Sequence, residues 1–111
     1  MNVYDTANKL ASEIRNSQEY LDYKNIKEEL NQNPEIKKKL EEFEKARYEV
    51  QLESIKGEEQ EKAKLEETQK IYIELVQNDL AKRYFETELK FNVLLADVNK
   101  IIAESVQDVL V

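Results

Sequence analysis

Apolar residues return along this chain at spacings of three and four, and the recurrence is interrupted at few points. Glu, Lys, Leu, Ala and Gln, all strong helix formers, fill the positions between, and period-two alternation is confined to short pieces. The spacing therefore predicts an all-α chain. Its first helix runs from about Val3 to Arg15, with Val3, Ala7, Leu10, Ala11 and Ile14 on one face. Asn16-Ser17 interrupts the pattern, and Ser17 is suited to cap a second helix that carries Tyr20, Tyr23, Ile26, Lys27 and Leu30. Residues 3–31 read equally as two helices or as one kinked helix.

Asn33-Pro34 is the clearest punctuation. Asn33 has an N-cap side chain, and Pro34 at the first helical position loses no useful N–H while ending the preceding helix. A helix is predicted from Pro34 to about Lys56, with Ile36, Leu40, Phe43, Arg47 and Val50 on one face and Tyr48, Leu52 and Ile55 on an adjoining one. Gly57, the single glycine, marks its end and a reversal into a fourth helix carrying Ala63, Leu65, Thr68, Tyr72, Leu75 and Val76. That helix ends near Gln77. Asn78-Asp79 resembles the earlier capping signal, and Gln77-Asn78-Asp79 lies 45 residues after Gln32-Asn33-Pro34. On so short a match, shared capping chemistry is a better explanation than an internal repeat. Asp79 does not stop a helix as proline would, so the segments also read as one helix through Asn78.

The last segment, Asp79 to about Leu110, is the most apolar. Phe91, Leu94, Leu95, Val98, Ile101, Ile102, Val106 and Val109 form its broad stripe. Tyr84, Glu88, Phe91, Leu95, Val98, Ile102, Ser105 and Val109 alternate steps of four and three, as in a coiled-coil seam. Residues 1–111 thus read as one all-helical domain: N-terminal helices over about 3–31, a long helical hairpin over 34–77 turning at Gly57, and a C-terminal helix over 79–110. A continuous last helix would be about 48 Å long, against a radius of gyration of about 13 Å for a compact domain of this size. Such helices cannot all bury their stripes within one chain. The expected solution is a helix bundle completed by oligomerisation, a homodimer or tetramer. Phe91, Leu94, Leu95, Val98, Ile101 and Ile102 form the expected self-association or core seam.

Composition narrows the chemistry. The 111 residues include no Cys, no His and no Trp, with one Gly and one Pro. Disulfides, thiolate or imidazole metal sites, a Cys nucleophile and a His base are all excluded. A single glycine excludes the glycine-rich phosphate loops. The net charge of −7 argues against nucleic acid as a direct ligand, and the run Lys37-Lys38-Lys39 is interleaved with Glu35, Glu41, Glu42 and Glu44. The N-terminal residues lack the basic and apolar regions of a signal peptide. The longest apolar run, Val93-Leu94-Leu95-Ala96, is far short of a membrane span. No membrane insertion and a cytoplasmic location are the expectations.

Paired carboxylates such as Glu28-Glu29, Glu41-Glu42, Glu58-Glu59 and Glu66-Glu67 read as solvated helix faces, since none is placed on an apolar one. A di-metal bundle site needs Glu-x-x-His pairs, which the composition forbids. No cofactor is expected. Six tyrosines mostly sit at or beside stripe positions, where structural packing is the default reading and a partner-binding patch the alternative. Asn99 is either a buried register-fixing polar residue or an exposed neighbour of Val98.

Asn33-Pro34, Gly57, and above all Phe91-Asn92-Val93-Leu94-Leu95-Ala96-Asp97-Val98-Asn99-Lys100-Ile101-Ile102 resemble the YlbF/YmcA-like family of Firmicutes. Val3-Tyr4-Asp5-Thr6-Ala7-Asn8 and Leu10-Ala11 resemble its YheA-like branch. The resemblance covers essentially the whole chain. It implies an all-helical protein with a long hairpin and an oligomeric assembly. The best-known members work in a complex associated with a membrane-anchored ribonuclease, and they carry cysteines that ligate iron–sulfur clusters. Without cysteine, that cluster does not carry over to this chain. Two functional expectations result: a non-enzymatic oligomeric interaction or regulatory module with an unidentified protein partner, or an accessory regulator of RNA processing in a ribonuclease complex.

Overall fold

The computed structural model describes residues 2–53 and 58–110. Among them are six helices and no strand: α1 (Val3–Arg15), α2 (Gln18–Asn31), α3 (Pro34–Glu53), α4 (Glu58–Leu75), α5 (Asp79–Ser105) and α6 (Gln107–Leu110). The fold is all-α, as the spacing predicts. Gly57, and with it the expected turn, lies outside the described residues.

Short polar side chains set the helix boundaries. At the start of α1, Asn2 Oδ1 accepts from the Asp5 N–H at 2.9 Å, while the Asp5 carboxylate accepts from the Asn2 N–H. Residues 3–31 form two helices, because Ser17 serves both ends of the break. Its hydroxyl donates to the Ile14 carbonyl at 2.6 Å and accepts from the Tyr20 N–H at 3.2 Å. The chain also divides at Asn78, where Oδ1 accepts from the Ala81 N–H at 3.0 Å. The matching bond at Asn33, to the Ile36 N–H, is longer at 3.4 Å. Asn78→Ala is therefore expected to cost about 1 kcal/mol, and Asn33→Ala less. Urea denaturation of both variants measures the difference, and equal losses would contradict the geometric ranking.

The last helix is shorter than the pattern suggests. α5 stops at Ser105, whose hydroxyl turns back to the Ile102 carbonyl at 2.6 Å. The Val106 N–H then bonds three residues back, to Ala103, and the short α6 follows. A serine bonding its own helix backbone offers an alternative to helix continuation that apolar periodicity does not register.

The chain forms two compact units, residues 27–83 and residues 1–26 with 84–111. In the first, α3 and α4 run antiparallel. Phe43 meets Tyr72 at 5.9 Å between ring centroids, and Glu49 meets Lys64 at 3.1 Å, so positions rise along α3 as they fall along α4. Among the described residues, the buried side chains of this unit are Leu30, Ile36, Leu40, Phe43, Ala46, Thr68, Leu75 and Ala81. Ile36, Leu40 and Phe43 are the stripe read from the sequence. Thr68 satisfies its hydroxyl by donating to the Lys64 carbonyl at 2.8 Å. The ammonium of Lys64 is raised above its ordinary pKa by its hydrogen bond to Glu49 and the charges of Glu49 and Glu67. Arg47 departs from the expected stripe: it lies over the Phe43 ring at 5.4 Å and pairs with Glu44, keeping its charge at the surface.

The unit of residues 1–26 and 84–111 is built differently. Ile26 is its one buried apolar side chain among the described residues. α1 has none, although its stripe is the most regular in the chain: Leu10 and Ile14 are half-buried, and Val3 is 80% exposed.

Candidate interaction surface

The exposed apolar surface of α5 grows from an aromatic cluster. Tyr20 and Tyr23 of α2 recur at i and i+3, so both rings project from one face of their helix. The Phe91 ring lies 5.9 Å from that of Tyr20 and 5.7 Å from that of Tyr23, and Tyr23 lies 5.8 Å from Tyr84. Edge and tilted contacts of this kind let electropositive ring edges meet electronegative faces. The Tyr23 hydroxyl donates to Glu88 Oε2 at 3.5 Å. Glu88, a polar member of the apolar seam, thus has a phenol donor and is half-buried.

Burial raises the Tyr84 phenol well above its ordinary pKa of 10.0, with further contributions from the Tyr23 hydrogen bond and the Glu88 charge. The sign of the linkage follows. Above about pH 10 the unfolded chain loses this proton while the folded chain keeps it, so stability falls as pH rises. Tyr84→Phe is expected to lose stability less steeply than the parent above that pH. Urea unfolding across the alkaline range provides the check, and parallel pH profiles would sink the assignment.

Beyond the cluster, cover on α5 diminishes. Phe91, Leu94, Leu95 and Val98 are half-buried, whereas Ile101 is 68% and Ile102 51% exposed. The seam residues share one helix face, and the N-terminal part of that face meets α2 through Phe91. Asn99 is exposed beside this face. Val109 and Leu110 extend the exposed apolar surface onto α6.

Two features of α5 went unread in the sequence. Leu89 and Val93 are both at least half exposed and lie opposite Phe91 on the helix. With Leu94, they line a shallow open groove whose rim carries Glu19, Lys90 and Asp97. Their i, i+4 spacing was the available signal, masked by the stronger stripe on the other side. The second feature is the meeting of Tyr23, Tyr84 and Glu88, which depends on how α2 lies on α5 and which no spacing along one helix reveals.

Among the described residues, no group of three or more acidic side chains is placed to hold a metal ion. No helix among them is long and apolar enough to cross a membrane.

The sequence model of the family described as "Control of competence regulator ComK, YlbF/YmcA" matches residues 3–107. The chain belongs to the YlbF/YmcA family. Similar chains include a UPF0342 protein of Caldicellulosiruptor bescii, 30% identical over 106 residues, covering 96% of this chain and 89% of that protein. A UPF0342 protein of Desulfitobacterium hafniense is 32% identical over 110 residues, covering 99% and 89% of the two chains. Another, from Halothermothrix orenii, is 36% identical over 105 residues, covering 92% and 86%. No solved structure gives a significant match. The family match includes α1 through α5 and so draws on both units of this chain.

Proposed function

We propose that this YlbF/YmcA-family chain is a non-enzymatic, self-associating helical module of the cytoplasm that acts by presenting helix faces to a protein partner. The observation that carries this reading is the exposed apolar end of α5, with Ile101 68% and Ile102 51% exposed, on a helix whose seam spacing suits pairing with another helix. A contiguous apolar face of this kind marks an interaction surface, whereas scattered single residues do not. The antiparallel α3–α4 pair, joined at the turn expected around Gly57, forms the hairpin that leaves the other unit to make the assembly. The family's description, control of a competence regulator, supports a regulatory role exercised through protein contacts.

Multi-angle light scattering tests the association directly. The expected mass is a multiple of the 13.1 kDa chain over the micromolar range. A single-chain mass at all concentrations would overturn the reading.

A further inference from the structure

The antiparallel α3–α4 pair carries a groove along one side, formed without any residue of α5. Its enclosed end is a cavity of about 140 Å³, with Ile36, Ile71 and Leu75 as its apolar lining. A cavity of about 150 Å³ accepts a benzene molecule, so this one has room for a single large apolar side chain. Ile36 and Leu75 are buried and Ile71 is half-buried, so the lining is held by the packing of the two helices. A shallower depression adjoins the cavity, sharing Glu42 and Ile71 with it and adding Ala46. The two are centred roughly 10 Å apart, the rise of about seven helical residues.

Charge selects the occupant. The carboxylates of Glu42, Glu49, Glu67 and Glu74 line the groove, against the ammonium groups of Lys39 and Lys45. Lys39 pairs with Glu35 at 4.0 Å, and Lys64 lies 3.1 Å from Glu49 and 3.5 Å from Glu67. Glu42 on α3 and Glu74 on α4 both line the enclosed end. Both are exposed, and neither has an ion-pair partner among the described residues. An apolar group entering the cavity therefore passes between two uncompensated carboxylates. Acidic neighbours on that group would be repelled, and basic ones would be matched.

Resting on the reading that the chain acts through a protein partner, we propose that this groove takes an amphipathic helix of that partner, with two apolar side chains seven residues apart and lysine or arginine beside them. The first apolar side chain fills the cavity against Ile71, and its basic neighbours meet Glu42 and Glu74. The second rests against Ala46. This is the helix-in-groove mode, in which spaced apolar anchors supply affinity and flanking charges select the partner. The lining is in place before binding, so little of the affinity is lost in ordering it.

The probe that tests this is a fluorescein-labelled peptide of about 15 residues, long enough for a helix to form on binding. It is built on alanine, with leucine at i and i+7 and lysine on both sides of each leucine. Fluorescence anisotropy with the full-length chain is expected to show saturable binding at micromolar concentrations. Glu42→Lys/Glu74→Lys should weaken it roughly ten-fold or more, because like charges then face each other. Glu41→Lys/Glu66→Lys makes the same change of charge at exposed positions outside the groove lining, and should alter binding by no more than about two-fold, since charges away from the contact are screened by salt. Circular dichroism should show both variants to be helical. A peptide with both leucines replaced by alanine should bind the unaltered chain roughly ten-fold more weakly or worse, having lost its apolar anchors. No saturable binding, equal losses in the two charge variants, or undiminished binding without the leucines would each overturn the inference. Light scattering on the same samples reads self-association separately. A chain that assembles without binding the peptide overturns this inference alone, and a single-chain mass that binds it overturns self-association alone.

Discussion

Leu75→Ala is expected to lower the free energy of unfolding by about 2–5 kcal/mol, the range for truncating a buried leucine. Leu75 is 3% exposed at the end of α4, one of the buried apolar side chains of its unit. A chain of this size is stable by only about 5–15 kcal/mol, so the loss is a large share of the whole. At about 4–8 °C per kcal/mol for small domains, the melting midpoint should fall by ten degrees or more. Ile73, two residues earlier on the same helix, is 61% exposed. Ile73→Ala should change stability by no more than about 0.5 kcal/mol. Thermal and urea unfolding of the pair gives the comparison. Similar losses at the two positions would mean that α4 buries a different face.

The contrast between these two neighbours shows how far apolar spacing reaches. On α3, the face marked by Ile36, Leu40 and Phe43 is the buried face, because a helix packed on one side leaves a simple i, i+4, i+7 record. On α4 the stripe included Leu65 and Tyr72, which are 43% and 42% exposed, beside the buried Thr68 and Leu75. Those four residues lie within one broad arc, and which edge of an arc is covered depends on where the neighbouring helix lies. Helix boundaries carried a signal wherever a side chain caps the backbone, at Ser17, Asn33 and Asn78, but only at Asn33, where Pro34 follows, did the sequence exclude a continuous helix. The break after Ser105 carried none, because serine is tolerated inside helices and its bond to Ile102 is a local choice without a sequence signature.

The candidate surface was legible in one respect and hidden in another. Leu94, Leu95, Val98 and Ile102 were identifiable as one face from their steps of three and four. Their graded exposure was not, since it follows from α2 meeting α5 at Phe91 and from the decline of cover beyond Val98. α1 illustrates the same point. Its stripe of Val3, Ala7, Leu10, Ala11 and Ile14 predicts a packed helix, yet none of the five is buried. Periodicity reports that a face is apolar; it does not report whether the same chain supplies the cover.

Ile101→Asp/Ile102→Asp is expected to abolish self-association and leave a helical single chain. Both residues are more than half exposed in that chain, so the substitutions remove little of its own packing. Their helix-propensity cost is a few tenths of a kcal/mol each. Between two copies the situation reverses. An unpaired carboxylate buried at an interface costs several kcal/mol, and a two-fold axis places four of them there. Even a total penalty of about 6 kcal/mol weakens association by about 10⁴-fold, at roughly 1.4 kcal/mol per factor of ten. Lys100→Asp serves as the control, since it adds an acid to α5 on the side away from Val98. Light scattering should give the 13.1 kDa single-chain mass for the double variant and the parental mass for the control. Circular dichroism should show both to be helical. A folded double variant that keeps the parental mass would remove Ile101 and Ile102 from the interface, and with them the reading of α5 as the helix on which the assembly is built.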